Sequence, residues 1–340
     1  MQVDIKEKVQ VWFSSIFIDR TVYVATMAQA QTSAGGAFCA LSLDPNDNGA
    51  VSVSGSATVN MPGCGIAVNS NSSRALEMTG SATVDVGAVR TVGGYSEGSS
   101  VDFQYASLRT NALPLEDPYA SLGIPSFTSC TNTQMNSGPA RYTSNATLSP
   151  GTYCGGIRMS GTSTITLNPG VYIMDGGDFN ASGRGSITGT GVTIILTNSG
   201  GSSYGNYGNI DVSGRKSIYL QAPTTGTYAG IAIYQDRNAS TVGSGDDDDD
   251  DEGDDDDEHG GRDSGNKITG SSGIEVQGAV YTPSRQLKFG GNGRVTSSST
   301  ALCTQLLAKT IEFKGNAALD SNCTGSGTQS IGSVSAKLVL

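Results

Sequence analysis

A short pattern centred on a glycine recurs through most of the chain and limits the folds that it can adopt. Two alternating apolar residues precede the glycine, small polar residues follow it, and a second alternating stretch comes next. The pattern occurs as VSVSGSATVNM, ALEMTGSATVDV, IRMSGTSTITL and IEFKGNAALDS, beginning at Val51, Ala75, Ile157 and Ile311. Gly55 and Gly80 lie 25 residues apart, and Gly161 and Gly183 lie 22 apart. These spacings indicate a structural repeat of roughly 20 to 30 residues.

Short strands and tight turns at such a period are typical of a β-solenoid. One repeat cannot bury its apolar side alone, whereas stacked repeats pair their backbones around a shared interior, with glycine at the corners. An antiparallel sandwich is the rival interpretation, but it requires no repeated glycine pattern. Because parallel crossovers are overwhelmingly right-handed, we predict an all-β, right-handed parallel β-helix over residues 34–340. Its inward side chains are predicted to include Val51, Val53, Ile194, Leu196, Ile231, Ile233 and Val280.

Residues 1–33 follow a different pattern and are predicted to form a small strand–helix–strand segment ahead of the solenoid. QVDIKEKV and TVYVATMAQA alternate in the manner of strands. Between them, Trp12, Phe13, Ile16 and Phe17 lie at helical spacing, with Trp12 expected to be a core residue.

One segment interrupts the repeat. TNALPLEDPYASLGIPSFTSC carries prolines at positions 114, 118 and 125. Proline donates no backbone hydrogen bond and interrupts regular structure. We expect an extended loop that lies across the surface of the solenoid.

The run from Asp246 to Glu258 holds twelve carboxylates in thirteen positions, broken only by Gly253. Removing those twelve from the 31 acids of the chain leaves 19, against 20 bases, so the formal net charge of −11 arises in one segment. The bases are scattered singly, which disfavours a nucleic-acid surface. We expect the run to form an acidic loop inserted between two repeats, at about residues 241–266.

The acidic run has two interpretations. It is either a solvated loop, kept extended by mutual repulsion, or a weak Ca²⁺ site, since hard oxygen ligands on a flexible chain suit that ion. An EF-hand register with Gly253 at the sixth position puts His259 where a glutamate is required. No other cofactor is expected. The candidate ligands are Asp246, Asp247, Asp248, Asp250, Glu252, Asp254, Asp256 and Glu258.

Six cysteines are present without a CxxC pair, and the lone histidine lies next to the acidic run, which disfavours zinc. Successive pairs are 25, 24 and 20 residues apart, which favours three local disulfides, although six cysteines allow 15 connectivities. Disulfides imply an oxidising compartment: the periplasm, the cell surface or the medium. The alternative is six buried thiols in a cytosolic protein. The expected pairs are Cys39–Cys64, Cys130–Cys154 and Cys303–Cys323.

Few residues suit catalysis. A Ser-His-Asp or Cys-His site needs a structured imidazole, and His259 follows a low-complexity segment. Many parallel β-helices act on polysaccharides with clustered acids, and Asp175, Asp178, Asp236 and Arg237 are the candidates for such a face. Asp175 and Asp178 are better explained as turn caps, and Asp236 and Arg237 as a structural pair or as backbone contacts. We therefore expect a protein that is not an enzyme.

Several segments, which follow one another in the same order, resemble the C-terminal, extracytoplasmic region of TadG-like proteins of bacterial tight-adherence (Flp-type) pilus systems. They are CALSLDP at 39–45, LSPGTYCGGIRMSGTSTITLNPGVYIMDGGDF at 148–179, APTTGTYAGIAIYQDR at 222–237 and CTQLLAKTIEFKGNAALDSNC at 303–323. The resemblance covers roughly residues 36–325. It supplies no catalytic residues, and the acidic run departs from it.

The resemblance implies an extracytoplasmic component that assembles or anchors an adhesive pilus or surface filament. Such proteins are tethered by an N-terminal transmembrane helix, and no apolar run of that length occurs here. We therefore expect that any membrane contact is made by an upstream anchor absent from this chain. The expected partners are other copies of the chain or cell-envelope proteins. A carbohydrate-active or carbohydrate-binding β-helix is the alternative function.

Overall fold

The computed structural model describes residues 2–9, 22–29, 38–127, 130, 139–199, 207–214, 217–239, 265–270, 274–291, 303–318, 323 and 325–332. All regular secondary structure in these ranges is β. None of these residues belongs to a helix that has the length and apolarity of a membrane span. Contacts divide the chain into two compact units, the larger of which is Gly36–Gly332.

The smaller unit contains two antiparallel strands, β1 (Gln2–Val9) and β2 (Val22–Gln29), in a register that places Val9 opposite Val22. Both coincide with the alternating segments in the sequence. The helix predicted between them, with Trp12, Phe13, Ile16 and Phe17, lies outside the described residues, as does the domain boundary predicted at residue 33.

The larger unit is built from short strands, and every neighbouring pair runs parallel. The first group comprises β3 (Phe38–Ser42), β4 (Val51–Val68), β5 (Leu76–Met78), β6 (Thr83–Thr91), β7 (Tyr95–Glu97) and β8 (Asp102–Arg109). The second group opens with β9 (Ala140–Tyr142), β10 (Ala146–Leu148), β11 (Gly151–Cys154), β12 (Ile157–Met159), β13 (Thr164–Leu167), β14 (Gly170–Asp175), β15 (Phe179–Ala181), β16 (Ser186–Thr190) and β17 (Val192–Thr197). It continues with β18 (Ile210–Gly214), β19 (Ser217–Gln221), β20 (Ile231–Gln235), β21 (Asn266–Gly270), β22 (Ile274–Thr282), β23 (Leu287–Gly291), β24 (Thr304–Ala308) and β25 (Ile311–Ala318).

Successive strands turn about an axis. One full turn of the chain, called a level here, contributes backbone to each of three faces of the stack. On the first face β12 lies beside β15, with Ile157 opposite Phe179. On the second face β13 lies beside β16, and on the third β14 lies beside β17, with Tyr172 opposite Ile194. Each of these partners is 22 residues further along the chain, which matches the sequence repeat. The prediction of a parallel β-helix is confirmed.

The levels do not follow one another in chain order. The level of β9, β10 and β11 forms one end, and the following levels lead to β24 and β25. There β25 pairs with β4 and β24 pairs with β3, so the stack continues into the N-terminal strands and ends at β7 and β8. Residues 140–318 therefore precede residues 38–109 along the axis. The sequence did not predict this order, because the repeat defines each level without defining its neighbours.

A central column of apolar side chains fills the solenoid. Of the seven residues predicted to point inward, six belong to this column and are at most 1% exposed: Val51, Val53, Ile194, Leu196, Ile233 and Val280. Ile231 is equally buried, but the prediction that it points inward is wrong. Its side chain packs in a second cluster outside the third face, because the register shifts between Ile231 and Ile233.

This second cluster exists because the proline-containing segment covers the third face. Residues 110–127, called the strap here, contain no strand and run back along the stack. Leu115 and Tyr119 of the strap are buried against an outward row of side chains that an uncovered solenoid would expose to water. That row comprises Ile173, Ile195, Tyr234, Tyr281, Leu307, Leu41 and Ala67.

The three disulfides join the predicted pairs, with Cα–Cα distances of 5.7 Å for Cys39–Cys64, 5.6 Å for Cys130–Cys154 and 4.5 Å for Cys303–Cys323. The first links two adjacent levels, because Cys39 lies in β3 and Cys64 in β4. The second joins Cys130, which follows the strap, to Cys154 in β11, in the first level of the stack. Disulfides of this kind indicate an oxidising, extracytoplasmic environment.

The corner between the first and second faces is occupied by the marker glycines. Gly55 and Gly80 adopt positive φ angles of 72° and 73° and stack on one another. A Cβ atom on Gly80 would lie 2.5 Å from the carbonyl oxygen of Gly55, whereas a Cβ on Gly55 would meet no atom within 4 Å. The two positions share the backbone conformation but differ in available space.

Replacing these glycines separates conformational strain from steric exclusion. We expect Gly55→Ala to lower the free energy of unfolding by about 1–2 kcal/mol, the cost of a left-handed alanine. Gly80→Ala should cost more, because the two levels must also move apart. Gly98→Ala, where the nearest atom would be 3.5 Å away, is the control. Urea denaturation midpoints measure all three, and equal losses for Gly55→Ala and Gly80→Ala would contradict the stacked corner.

Candidate functional site

The carboxylates that were candidates for catalysis accept hydrogen bonds that stabilise turns. Asp175 is 5% exposed and accepts hydrogen bonds from the amide and the hydroxyl of Ser199, at 2.7 and 2.8 Å. Asp178 accepts the amide of Asn209 at 2.8 Å. Asp236 accepts the Thr197 hydroxyl at 2.7 Å and the amide of residue 238 at 2.9 Å. Each carboxylate therefore caps a loop that leaves the third face, as the turn-capping interpretation predicts for Asp175 and Asp178.

Arg237 pairs with the strap and not with Asp236. Its guanidinium donates to Asp117 Oδ2 at 2.5 Å and to the hydroxyl of Tyr281, which in turn donates to Asp117 at 2.8 Å. Burial opposes the charge on Arg237, but the hydrogen bond to Asp117 and the nearby Tyr281 raise its pKa overall. This polar clamp joins the strap to two successive levels, and it explains why an arginine follows Asp236.

A group of tyrosines beneath the strap continues the clamp. Tyr228 donates to the carbonyl of Gly123 at 2.7 Å, and Tyr234 donates to the carbonyl of Leu122 at 2.6 Å. Burial raises the pKa of Tyr119 and of Tyr228 to about 12. Burial likewise raises the pKa values of Tyr234 and Tyr281. The four hydroxyls are thus kept protonated, and those of Tyr228 and Tyr234 satisfy carbonyl groups of a segment that has no strand partner.

A shallow pocket of about 340 Å³ opens beside the clamp. Its lining includes Asp44, Arg237, Ser284 and Lys309. Lys309 Nζ lies 3.6 Å from Asp44 Oδ2, and the Ser284 hydroxyl donates to the carbonyl oxygen of Arg237. The charged groups of the pocket are therefore paired within the fold.

The acidic run lies outside the described residues, together with His259 and every candidate Ca²⁺ ligand. Its flanking strands are β20 and β21, which belong to successive levels. Gln235 and Asn266, both 0% exposed, hold the two sides together: the Asn266 amide donates to Gln235 Oε1 at 3.0 Å. Among the residues that the structure describes, no group of three or more His, Cys, Asp or Glu side chains could bind a metal ion.

The two ends of the solenoid carry aromatic side chains at inward positions. At one end the ring of Phe103 contacts those of Tyr95 and Tyr105, with centroid distances of 5.8 and 4.9 Å. Tyr95 and Tyr105 are 36% and 44% exposed, because within the described ranges no further level covers β7 and β8. At the other end Tyr142 holds an inward position in β9 and is partly buried. The interior of the stack is thus incompletely covered at the β7–β8 end, whereas the inward Ala140 and Leu148 of the β9–β11 level are buried.

No family model, curated protein or solved structure matches this chain.

The clamp and the buried tyrosines were not predicted from the sequence, although a signal for them was present. The third-face strands IAIYQ and TQLLA are apolar at consecutive positions and are buried throughout. Strands buried on both sides have this composition. Their pattern indicated a covered face, and the strap is the segment that covers it.

Alkaline pH should loosen the strap. A tyrosine whose pKa is about 12 in the fold and about 10 when unfolded contributes stability that is present below pH 10 and is lost as the pH rises toward 12. We expect the free energy of unfolding to fall across that window. Phenolate absorbance followed during denaturation measures the effect.

Tyr228→Phe is the informative variant for this pH dependence. It should lower stability at neutral pH by about 1–3 kcal/mol, because the Gly123 carbonyl loses its donor, and it should make the alkaline decline shallower. The exposed Tyr105→Phe serves as the control. An unchanged alkaline slope in Tyr228→Phe would contradict the role of the buried hydroxyls.

Proposed function

We propose that the chain is an extracytoplasmic structural component of an adhesive pilus or cell-surface filament, and that it has no catalytic activity. The observation that carries the proposal is the outer edge of β8, which pairs with no other strand among the described residues and ends a parallel stack. A rigid solenoid with an incomplete last level is a unit that another protein can extend. The three disulfides support a location in the periplasm, at the surface or in the medium.

The use of polar groups within the fold supports this structural role. Asp175, Asp178 and Asp236 cap turns, and Arg237 with Asp117 fastens the strap. The sequence resemblance to TadG-like proteins supports the more specific assignment to a bacterial tight-adherence pilus.

Deleting the gene in the bacterium that encodes the chain tests the proposal. We expect the mutant to lose surface filaments and attachment to a solid support, because an essential structural unit is missing. Electron microscopy and an adhesion assay measure these changes, and the intact gene supplied in trans is the control. Normal filaments and normal attachment in the mutant would refute the assembly role.

Carbohydrate binding is the second candidate function, and the exposed rings of Tyr95 and Tyr105 favour it, since sugars stack on aromatic faces. A glycan array probed with the purified chain distinguishes the candidates. Binding that disappears in Tyr95→Ala and Tyr105→Ala, together with normal filaments in the deletion mutant, would establish the second function.

The acidic run would make the assembly responsive to calcium, because bound Ca²⁺ relieves repulsion among adjacent carboxylates. We expect calorimetric titration to show Ca²⁺ binding to the chain, and none to a variant with residues 244–260 replaced by a short Gly/Ser linker. Without calcium both proteins should unfold at the same temperature, because the Gln235–Asn266 hydrogen bond joins the two strands that flank the loop in either protein. Equal heats of binding would leave the run as a solvated loop.

A further inference from the structure

The β7–β8 level ends the stack with an edge that pairs with no other strand among the described residues. Residues 38–127 are described without a gap, so the chain on both sides of this level is defined. β8 spans two faces, as β6 does in the level before it. Its residues 102–105 lie on the second face, residues 107–109 lie on the third, and Ala106 lies at the corner between them.

The backbone of β8 offers hydrogen-bonding groups at this edge. In the stack, an inward residue directs its carbonyl group toward the following level, as Met78 does when it accepts the amide of Gly98 at 2.9 Å. Three residues of β8 hold inward positions: Phe103, Tyr105 and Leu108. Their backbone groups therefore face the open edge, where the strand of another molecule can pair with them.

The sequence of β8 is complementary to itself when it is read in the opposite direction. A twofold axis at the corner, between Tyr105 and Ala106, would pair β8 antiparallel with β8 of a second copy. The second face of each copy would then meet the third face of the other, and inward side chains would stay inward. The facing residues would be Asp102 and Arg109, Phe103 and Leu108, Gln104 and Ser107, and Tyr105 and Ala106.

The charges at the two ends of β8 gain partners in this register. Arg109 is exposed, lies beside Arg90 of β6, and has no acidic partner in the described part of the chain. Burial, and then the nearby Arg109, lowers the pKa of Arg90, because like charges adjoin. Asp102 is also exposed and accepts the side-chain amide of Gln104 at 3.2 Å. Asp102 of each copy would offset the repulsion between the two arginines of the other.

The same arrangement covers the exposed aromatic rings at this end. Tyr105 would face Ala106, whose small side chain leaves room for the ring, and Phe103 would pack on Leu108. An axis through the corner also crosses the first face on the opposite side of the level, so the β7 strands of the two copies would meet and cover Tyr95. Aromatic side chains grouped at an open edge are typical of a protein interface.

We propose that two copies of this chain associate end to end by antiparallel pairing of their β8 strands. This inference rests on the proposed structural role of the β8 edge and names its partner. Both copies use the same surface, so the contact is satisfied in a closed dimer and does not repeat. The dimer is then the unit that enters the surface assembly.

Sedimentation velocity of the full chain over a concentration series tests the dimer. We expect the average mass to rise with concentration and to level off at twice the monomer mass. Asp102→Arg and Arg109→Glu should each raise the dissociation constant about tenfold, because each substitution places like charges opposite one another at two symmetric positions. Arg184→Glu, in an exposed turn before β16 and away from this end, is the control and should associate as the wild type does.

An equimolar mixture of Asp102→Arg and Arg109→Glu gives the decisive result. In the mixed dimer one copy carries two bases at these positions and the other carries two acids, so opposite charges meet at both contacts. Association should return at least to the wild-type strength, which also establishes that each variant is folded. A mixture that associates no better than its components would overturn the proposal.

Two further outcomes of the concentration series would also overturn it: a wild-type chain that is monomeric throughout, and a mass that keeps rising beyond the dimer. A monomeric chain combined with filament loss in the deletion mutant would refute the dimer while leaving the proposed function intact. A dimer that follows the charge pattern, combined with normal filaments in the deletion mutant, would support the pairing and refute the assembly role.

Discussion

Parallel backbone pairing between levels is the interaction on which the rest of the structure depends. A single level exposes unpaired amide and carbonyl groups on both edges and only half buries its apolar residues. Stacking satisfies both needs at once, and the 22-residue spacing keeps inward positions above inward positions. The stacked glycines at the first corner follow from this, since both adopt a positive φ and Gly80 lies too close to the backbone of Gly55 for a side chain.

The strap determines which side chains the third face can carry on its outer side. Solenoid strands usually alternate between an inward apolar and an outward polar side chain. Here the outward row is apolar because residues 110–127 lie on it and form a second buried cluster on that side. The strap forms no strand, so its carbonyl groups need donors, and the hydroxyls of Tyr228 and Tyr234 supply them. The clamp of Asp117, Arg237 and Tyr281 adds an ionic contact at the middle of its path.

Local features were predictable from sequence, and non-local ones were not. The glycine pattern predicted the parallel solenoid, and the cysteine spacing predicted all three disulfides, because each depends on residues within one or two repeats. The direction of Ile231 was predicted wrongly, since a register shift between adjacent strands leaves no mark in the alternation of apolar residues. The pairing of Arg237 with Asp117 joins residues 120 apart, and no local pattern encodes such a contact. The order of the levels depends on the path of the whole chain.

That order has a consequence for how the protein is made. The central junction of the stack joins β25 to β4, so β4 leaves a ribosome or a secretion channel long before its partner strand does. Until the C-terminal strands arrive, β3 and β4 keep a bare edge in the middle of the future rod. Contacts of such long sequence separation slow folding, and a bare parallel edge is exposed to wrong partners in the meantime. The Cys39–Cys64 disulfide closes within the early segment and can hold those two strands in register while they wait.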